Sequence, residues 1–411
     1  MEPREERGKE LAATKKLRSK QPGIWLVPSQ TGFGDYTVNV ATEEFTCSCP
    51  DFEIRQQPCK HIFAVAYTVV REQKPDGTVT ETTTITAVKK TYPQNWRQYN
   101  TAQTTEQDRF QVLLHDLCCT VSTPMPKTGR PPLPFCDAIF SATYKVYSTV
   151  SQRRFMSDLR EAHERGFIAK VPHFNTISNT LESAELTPIL QELIAQSSLP
   201  LKSVEVDFAV DSSGFTSSRF VRWFDHKYGT VRQKHEWVKV HLMCGVKTNV
   251  VTAVEIGDKY AGDSPFLTPL LQTTAKNFSI SEVSADKGYI SAKNMEAIAA
   301  TGATPFIPFR KGQTAKPGGL WEKMFYFFNF HKEEFLERYH KRSNIESTFS
   351  AIKRKFGDGL RSKTDTAMVN ESLCKILCHN LVVLIHEIQE LDINVSFCTK
   401  TQEAAQEGIL N

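Results

Sequence analysis

The chain has 411 residues, 40% of them hydrophobic and 23% charged, with a formal net charge of +4. That length exceeds one ordinary domain and predicts two or three globular ones. The near-balanced charge excludes a uniformly basic or acidic protein, and no apolar run approaches the roughly 20 residues that span a bilayer. The N-terminus is charged (Glu2, Arg4, Glu5, Glu6, Arg7) and unlike a secretory signal, so an intracellular protein with no membrane contact is expected.

In chain order, residues 1–22 are polar and basic (Lys15, Lys16, Arg18, Lys20) and read as a mobile arm. Residues 23–71 read as a compact ββα unit. Within it Tyr36–Val40 alternates like a strand, and Ile62–Val70 is apolar with helical spacing. Between these lie Cys47-Ser48-Cys49 and Cys59-Lys60-His61, which bring three of the chain's ten cysteines within thirteen residues. In a reducing compartment such a cluster points to metal rather than disulfides. Cys47, Cys49, Cys59 and His61 are four soft or borderline ligands that suit tetrahedral Zn²⁺. With every position filled by protein, one structural ion is expected. The remaining cysteines read as small buried side chains.

Residues 72–133 read as a linker with one helix beginning near Asp108. The first part is rich in Thr, Lys and Gln, with a turn at Pro75-Asp76-Gly77, and the last part is the Pro-rich stretch Pro124–Pro134 with Gly129-Arg130-Pro131. Residues 134–200 show helical apolar spacing over 138–150, 152–165, 174–181 and 188–195. This is a candidate DNA-binding region in which Arg153, Arg154 and Arg160 could face DNA.

From residue 201 the period changes. Val204, Val206, Phe208 and Val210 alternate with Glu205, Asp207, Ala209 and Asp211. Strands over 237–246 and 250–256 flank the hairpin signal Lys247-Thr248-Asn249. Helix near 265–276, strand near 280–285, helix near 291–301, a short strand at 306–308, a long helix over 332–356 and an apolar helix over 370–388 follow. This order predicts a mixed five-stranded RNase H-like α/β domain over 201–390, with 391–411 as a tail.

Three carboxylates stand out. Asp211 is read as ending its strand, because Ser212-Ser213-Gly214 follows, and Asp286 follows a short apolar strand. Asp207 competes with Asp211, but two side chains back along a strand is about 13 Å, too far to share an ion easily. Glu346 falls on the 332–356 helix with Tyr339, Arg342 and Lys353, spaced by three, four and seven residues. On one straight helix these four share a sector of about 60°. A surface helix with an Arg–Glu pair at i, i+4 is the simpler alternative. Asp263 reads as supporting the site or as a helix cap. His235 and His241 read as ordinary strand residues. Trp321, in the short interval 309–330, either stacks on a flipped base or, the favoured reading, packs with Phe325 and Phe328. Basic runs span Arg219–Lys239 and Arg338–Lys363, the latter with eight Lys/Arg against Glu346 and Asp358.

The stretches "VDSSG", "SADKGYIS" and "YHKRSNIESTFSAIKRKFG" resemble, in order, the three signature regions of DDE transposases from bacterial insertion sequences of the type with Tyr, Arg, Glu and Lys around the catalytic Glu. "GDSPFLTPLL" and "GATPFIPFRKG" resemble that family's connecting segments. The resemblance covers roughly 201–388. "TCSCPDFEIRQQPCKHIFAV" resembles the SWIM zinc finger. The transposase resemblance implies that Asp211, Asp286 and Glu346 hold two Mg²⁺ (or Mn²⁺) ions for catalysis, while Tyr339, Arg342 and Lys353 position DNA phosphates. It implies binding of transposon ends in double-stranded DNA, cleavage, and joining of 3′-hydroxyl ends to target DNA. A homodimer on DNA and a prokaryotic cytoplasmic, nucleoid-associated setting are expected with it. A domesticated DNA-binding regulator and a nuclease without strand transfer are the alternatives.

Overall fold

The computed structural model describes residues 3–71 apart from 16, 22, 30–33, 41–44 and 56, and then 96–122, 133–217, 237–258, 260–316 and 318–398. The turn at 75–77, Gly129-Arg130-Pro131, His235 and most of the 219–239 basic run lie outside the described residues. The chain forms two compact units, Met1–Gln94 and Asn95–Asn411.

The first unit is larger than a ββα element. It contains α1 (Pro3–Thr14), β1 (Arg18–Gln21), β2 (Ile24–Pro28), β3 (Asp35–Asn39), β4 (Thr46–Cys47), α2 (Pro50–Arg55) and α3 (Lys60–Arg71). The four strands form one antiparallel sheet in sequence order. The expected mobile arm is instead α1 and β1. Helix α1 lies close against α3, because a Cβ on Gly8 would stand 2.5 Å from Phe63 Cβ. Its Leu11 is fully buried, and Tyr67 donates to Glu5 Oε1 at 2.5 Å. Small residues (Gly8, Ala12), one leucine and the polar Glu5 and Lys9 make that contact, so α1 carries no strong apolar period to read. Strand β1 is wholly exposed and polar, a protected sheet edge.

The second unit starts with two helices where one was expected, α4 (Trp96–Thr104) and α5 (Glu106–Cys118). These are followed by α6 (Phe135–Ser148), α7 (Met156–Glu164), α8 (Phe174–Glu182) and α9 (Leu186–Ser198). Then come β5 (Asp207–Ser217), β6 (Trp237–Gly245), β7 (Val251–Gly257), α10 (Leu267–Ala275), β8 (Glu282–Ala285), α11 (Ala292–Ala300) and β9 (Thr304–Phe306). The chain continues through α12 (Gly319–Phe330), α13 (Lys332–Tyr339), α14 (Ser343–Phe356), β10 (Gly359–Leu360) and α15 (Asp365–Leu391). The sheet order is β7-β6-β5-β8-β9, with β5–β6 and β6–β7 antiparallel and β5–β8 and β8–β9 parallel. This is the RNase H-like arrangement expected, with a sixth short strand, β10, beside β5. The interval after β9 folds as α12 rather than as inserted strands.

Helices cover both faces. On one, Phe208, Val210, Met243 and Val283 pack with α10–α13. On the other, Ala209, Leu242 and Val240 share one core with α5, α6, α9, α14 and α15. The helices of 134–200 are therefore built onto the six-stranded sheet domain, and their apolar stripes bury against its sheet and its last helix. Residues 392–398 also dock here, with Phe397 N–H and Cys398 N–H donating to the Asp116 carboxylate. Cys118, Cys244, Cys374 and Cys378 are buried as expected, whereas Cys119 is exposed.

Helix α15 is long and apolar enough to cross a membrane, yet 89% of its most apolar window is buried inside the protein. It is a core helix with polar residues at fixed places. The Asn380 side chain accepts from Val251 N–H (2.8 Å) and donates to Val251 O (2.7 Å), Ser197 Oγ (2.9 Å) and Ile194 O (3.2 Å). It pairs with the edge strand β7 much as a further strand would. Replacing Asn380 with Ala would leave buried backbone groups of β7 unpaired, and chemical denaturation should show a loss of about 2–4 kcal/mol.

Candidate active site and zinc centre

The sheet divides at Asp211. Strand β8 pairs with β5 only as far as Val210↔Ala285, whereas β5 runs on to Ser217, where β10 pairs with it from Thr216. Asp211 therefore lies within its strand rather than at its end. Gly214, read as a strand terminator, instead gives room to a ring, since a Cβ there would sit 2.5 Å from Trp237 Cε3. Asp286 follows Ala285 just where the β5–β8 pairing stops, and it is near enough to Asp211 for its charge to raise the Asp211 carboxyl.

The expected single helix over 332–356 is broken. Helix α13 ends at Tyr339, a tight turn spans His340–Arg342, and α14 begins at Ser343. The backbone stays right-handed helical through that turn, and Tyr339 remains beside Arg342, with its ring centroid 5.8 Å from the guanidinium carbon. At the break Lys341 Nζ joins Asp207 (2.7 Å) and Glu282 (2.6 Å). Asp207 is thus paired away from Asp211. Arg342 Nη1 donates to Asp211 Oδ2 at 2.6 Å and its Nη2 bonds Glu346. Lys353 Nζ donates to Ser213 Oγ at 2.6 Å. Asp211, Glu346 and Lys353 border an open groove of about 560 Å³, with Ser212, Ser213 and Asp358.

Burial holds the Asp211 carboxyl above the usual carboxylate range, opposed by Ser212 N–H and Arg342 and reinforced by Asp286 and Glu346. This site is short of positive charge, and Arg342 is the cation spanning two of the carboxylates. An oxygen-only anionic set of this kind fits hard divalent cations.

On the opposite face, one residue along β5, lies a polar network. Ser212 Oγ (3.2 Å) and Lys239 Nζ (2.6 Å) both reach Asp263 Oδ1. Asp263 makes no capping bond to the turn it precedes, so its side chain serves the sheet instead. His241, expected to be an ordinary strand residue, is fully buried and pushed down to about 4 by that burial. Its Nδ1 lies 2.8 Å from Tyr289 Oη, and its ring stacks on Phe266 with centroids 4.1 Å apart. Arg310 bonds Lys287 O (3.0 Å) and Gly288 O (3.3 Å), which holds the loop after Asp286. Lys341, Tyr289 and Arg310 escaped sequence reasoning. Their partners are 22 to 134 residues away, and local spacing gives no sign of them. Trp321 is buried beside Phe309, with rings 5.0 Å apart, and its Nε1 donates to Thr314 O. It belongs to the core, and Phe309 rather than Phe325 or Phe328 is its ring partner.

In the first unit, Cys47 ends β4, Cys49 precedes α2, Cys59 precedes α3 and His61 stands in its first turn. Their ligand atoms all lie within 4.8 Å of one another, and all four residues are buried. His61 Nδ1 is 3.9 Å from Cys47 Sγ and 3.8 Å from Cys59 Sγ. A tetrahedral Zn²⁺ with ordinary bond lengths needs ligand separations of about 3.5–3.8 Å. The donor set and its spacing fit that ion, and buried thiolates need its charge.

Residues 202–381 match the family described as Transposase DDE domain, and residues 36–69 match the SWIM zinc finger. No curated protein matches the chain significantly. Residues 202–381 of the second unit thus carry a domain of the metal-dependent nuclease and transposase class. The chain carries a DDE transposase domain preceded by a SWIM zinc finger. Metal analysis should find about one zinc per chain. Cys59→Ser or chelation should raise hydrogen exchange across residues 17–71 and leave that of 133–398 unchanged.

Proposed function

We propose that this protein is a DNA transposase whose catalytic groups are Asp211, Asp286 and Glu346. The observation that carries the reading is the division of the sheet. Asp211 and Asp286 follow directly on the point where β5 and β8 stop pairing, and Arg342 links the first of them to Glu346. Divalent ions bound here, Mg²⁺ or Mn²⁺ and two per site, would activate the attacking hydroxyl and stabilise the leaving oxygen. Asp211, Asp286 and Glu346 would hold them. Once they neutralise the carboxylates, Arg342 is freed to turn its fork to a DNA phosphate. Lys353 lines the groove and Tyr339 stands beside Arg342, and the two would fix the backbone on either side of the scissile bond. The reaction is hydrolysis at a transposon end followed by attack of the freed 3′-hydroxyl on target DNA.

The 134–200 helices would add contacts to double-stranded DNA. Arg154 and Arg160 are exposed, and the Arg153 guanidinium rests on the Phe174 ring at 5.5 Å. A homodimer bridging two ends and a prokaryotic nucleoid setting accompany this reading. The zinc finger would contribute a structural module for DNA or protein contact.

The test is cleavage and joining of oligonucleotides carrying the element's own ends, with Mg²⁺ or Mn²⁺. Asp211→Asn, Asp286→Asn and Glu346→Gln should each lower the rate by at least about 10³-fold with DNA binding retained. Cleavage without joined products would leave a nuclease. Full activity in any of the three variants would remove that residue from the site.

A further inference from the structure

A second cavity, of about 480 Å³, opens between the C-terminal end of α6, α8 and residues 361–363, and it shares no lining residue with the carboxylate groove. Four cations line it (Lys145, Arg361, Lys363 and Lys375) against Glu182 and Glu371. Most of these charges are already engaged or stand in solvent. Glu371 accepts from Arg361 N–H and Ser362 N–H, and Lys375 donates to Gly357 O (2.9 Å) and Gly359 O (2.8 Å). Arg361 Nη1 donates to Val150 O at 3.0 Å, and Glu182 is exposed.

Lys145 differs from the rest. It is half-buried, and among the described residues no carboxylate lies within ion-pair distance of its Nζ. Burial, then the charge of Arg361, push it down to about 8. An ammonium in such a place is incomplete without an incoming anion. The walls beside it include the apolar side chains of Val146, Ile177 and Phe356. The volume falls in the range of small-molecule pockets and exceeds what one bare ion needs.

We propose that this cavity binds a phosphate-bearing ligand, with the Lys145 ammonium and the free edge of the Arg361 guanidinium taking the phosphate and Lys363 guarding the rim. Arginine presents a fork matched to phosphate, and lysine adds a point charge. The phosphate belongs either to a DNA backbone running on from the carboxylate groove, past the C-terminal end of α14, or to a free phosphate or nucleotide. The site does not depend on catalysis at Asp211, so its test is separate.

Isothermal titration of the full chain with inorganic pyrophosphate comes first, alongside Lys145→Met and Lys363→Ala. Methionine suits both helix α6 and the half-buried position, and Lys363 is an exposed rim residue whose loss does not disturb folding. Unchanged melting temperatures verify both variants. The wild type should bind pyrophosphate, and Lys145→Met should weaken it by at least about tenfold. Duplex DNA affinity at about 50 and 200 mM salt separates the sources. A salt slope reduced by about one in both variants assigns the cavity to a DNA phosphate. Loss of pyrophosphate binding with unchanged DNA affinity assigns it to a free phosphate ligand. No pyrophosphate binding by the wild type, together with unchanged DNA affinity in both variants, overturns the proposal.

Discussion

The buried polar residues of α15 organise the second unit. Five of them reach out of the helix to backbone groups that would otherwise be orphaned, while Ser372 bonds Met368 O within it. Asn370 donates to Leu181 O and Ser183 O, Glu371 accepts from Arg361 and Ser362, Lys375 caps Gly357 and Gly359, His379 bonds Asn249 O, and Asn380 fastens β7. Buried polar groups are costly unless paired, so these bonds leave one way to seat the loops around the helix. Apolar packing alone would let α15 slide or rotate, whereas this ladder sets its depth and angle.

The carboxylate groove inherits that order. Lys375 and Glu371 hold the segment that follows α14, and this segment brings β10 to the end of β5. With β10 in place, β5 extends past the point where β8 departs, and the division between them exposes Asp211 and Asp286. On the other face Asp263 secures Ser212, while Arg310 holds the loop beyond Asp286. The two faces of β5 therefore fix consecutive residues from opposite sides, which is how a position within a strand becomes a rigid platform.

Charge follows the same geometry. Lys341 satisfies Asp207 and Glu282, while Asp211, Glu346 and Asp358 line the groove and Asp286 acts on Asp211 from nearby. Arg342 lies between two of these. It pairs with both and holds Asp211 and Glu346 on the same side of the sheet. The cavity around Lys145, behind the same 357–363 segment, repeats the theme with opposite sign, presenting cations with too little negative charge to match them.

Several features were legible from residues alone. Alternation near residue 208 gave the central strand, helical spacing gave α6–α9 and α15, and the Cys-x-Cys and Cys-x-His pairs gave a complete ligand set, because short-range periods and spacings are local properties. The order of elements was enough for an RNase H-like sheet. Other features depended on partners far along the chain. Helix α1 forms because Gly8 lets it approach α3. Strand β5 continues through Ser-Ser-Gly because β6 and β10 pair with it. The 332–356 helix breaks at His340–Arg342, where Lys341 and Arg342 reach the β5–β8 edge. The sequence by itself determined which carboxylates, cations and thiols the protein owns and which kind of element carries each. The tertiary structure decided which of them meet, because an ion pair between residues 130 apart is set by packing, on which local spacing is silent.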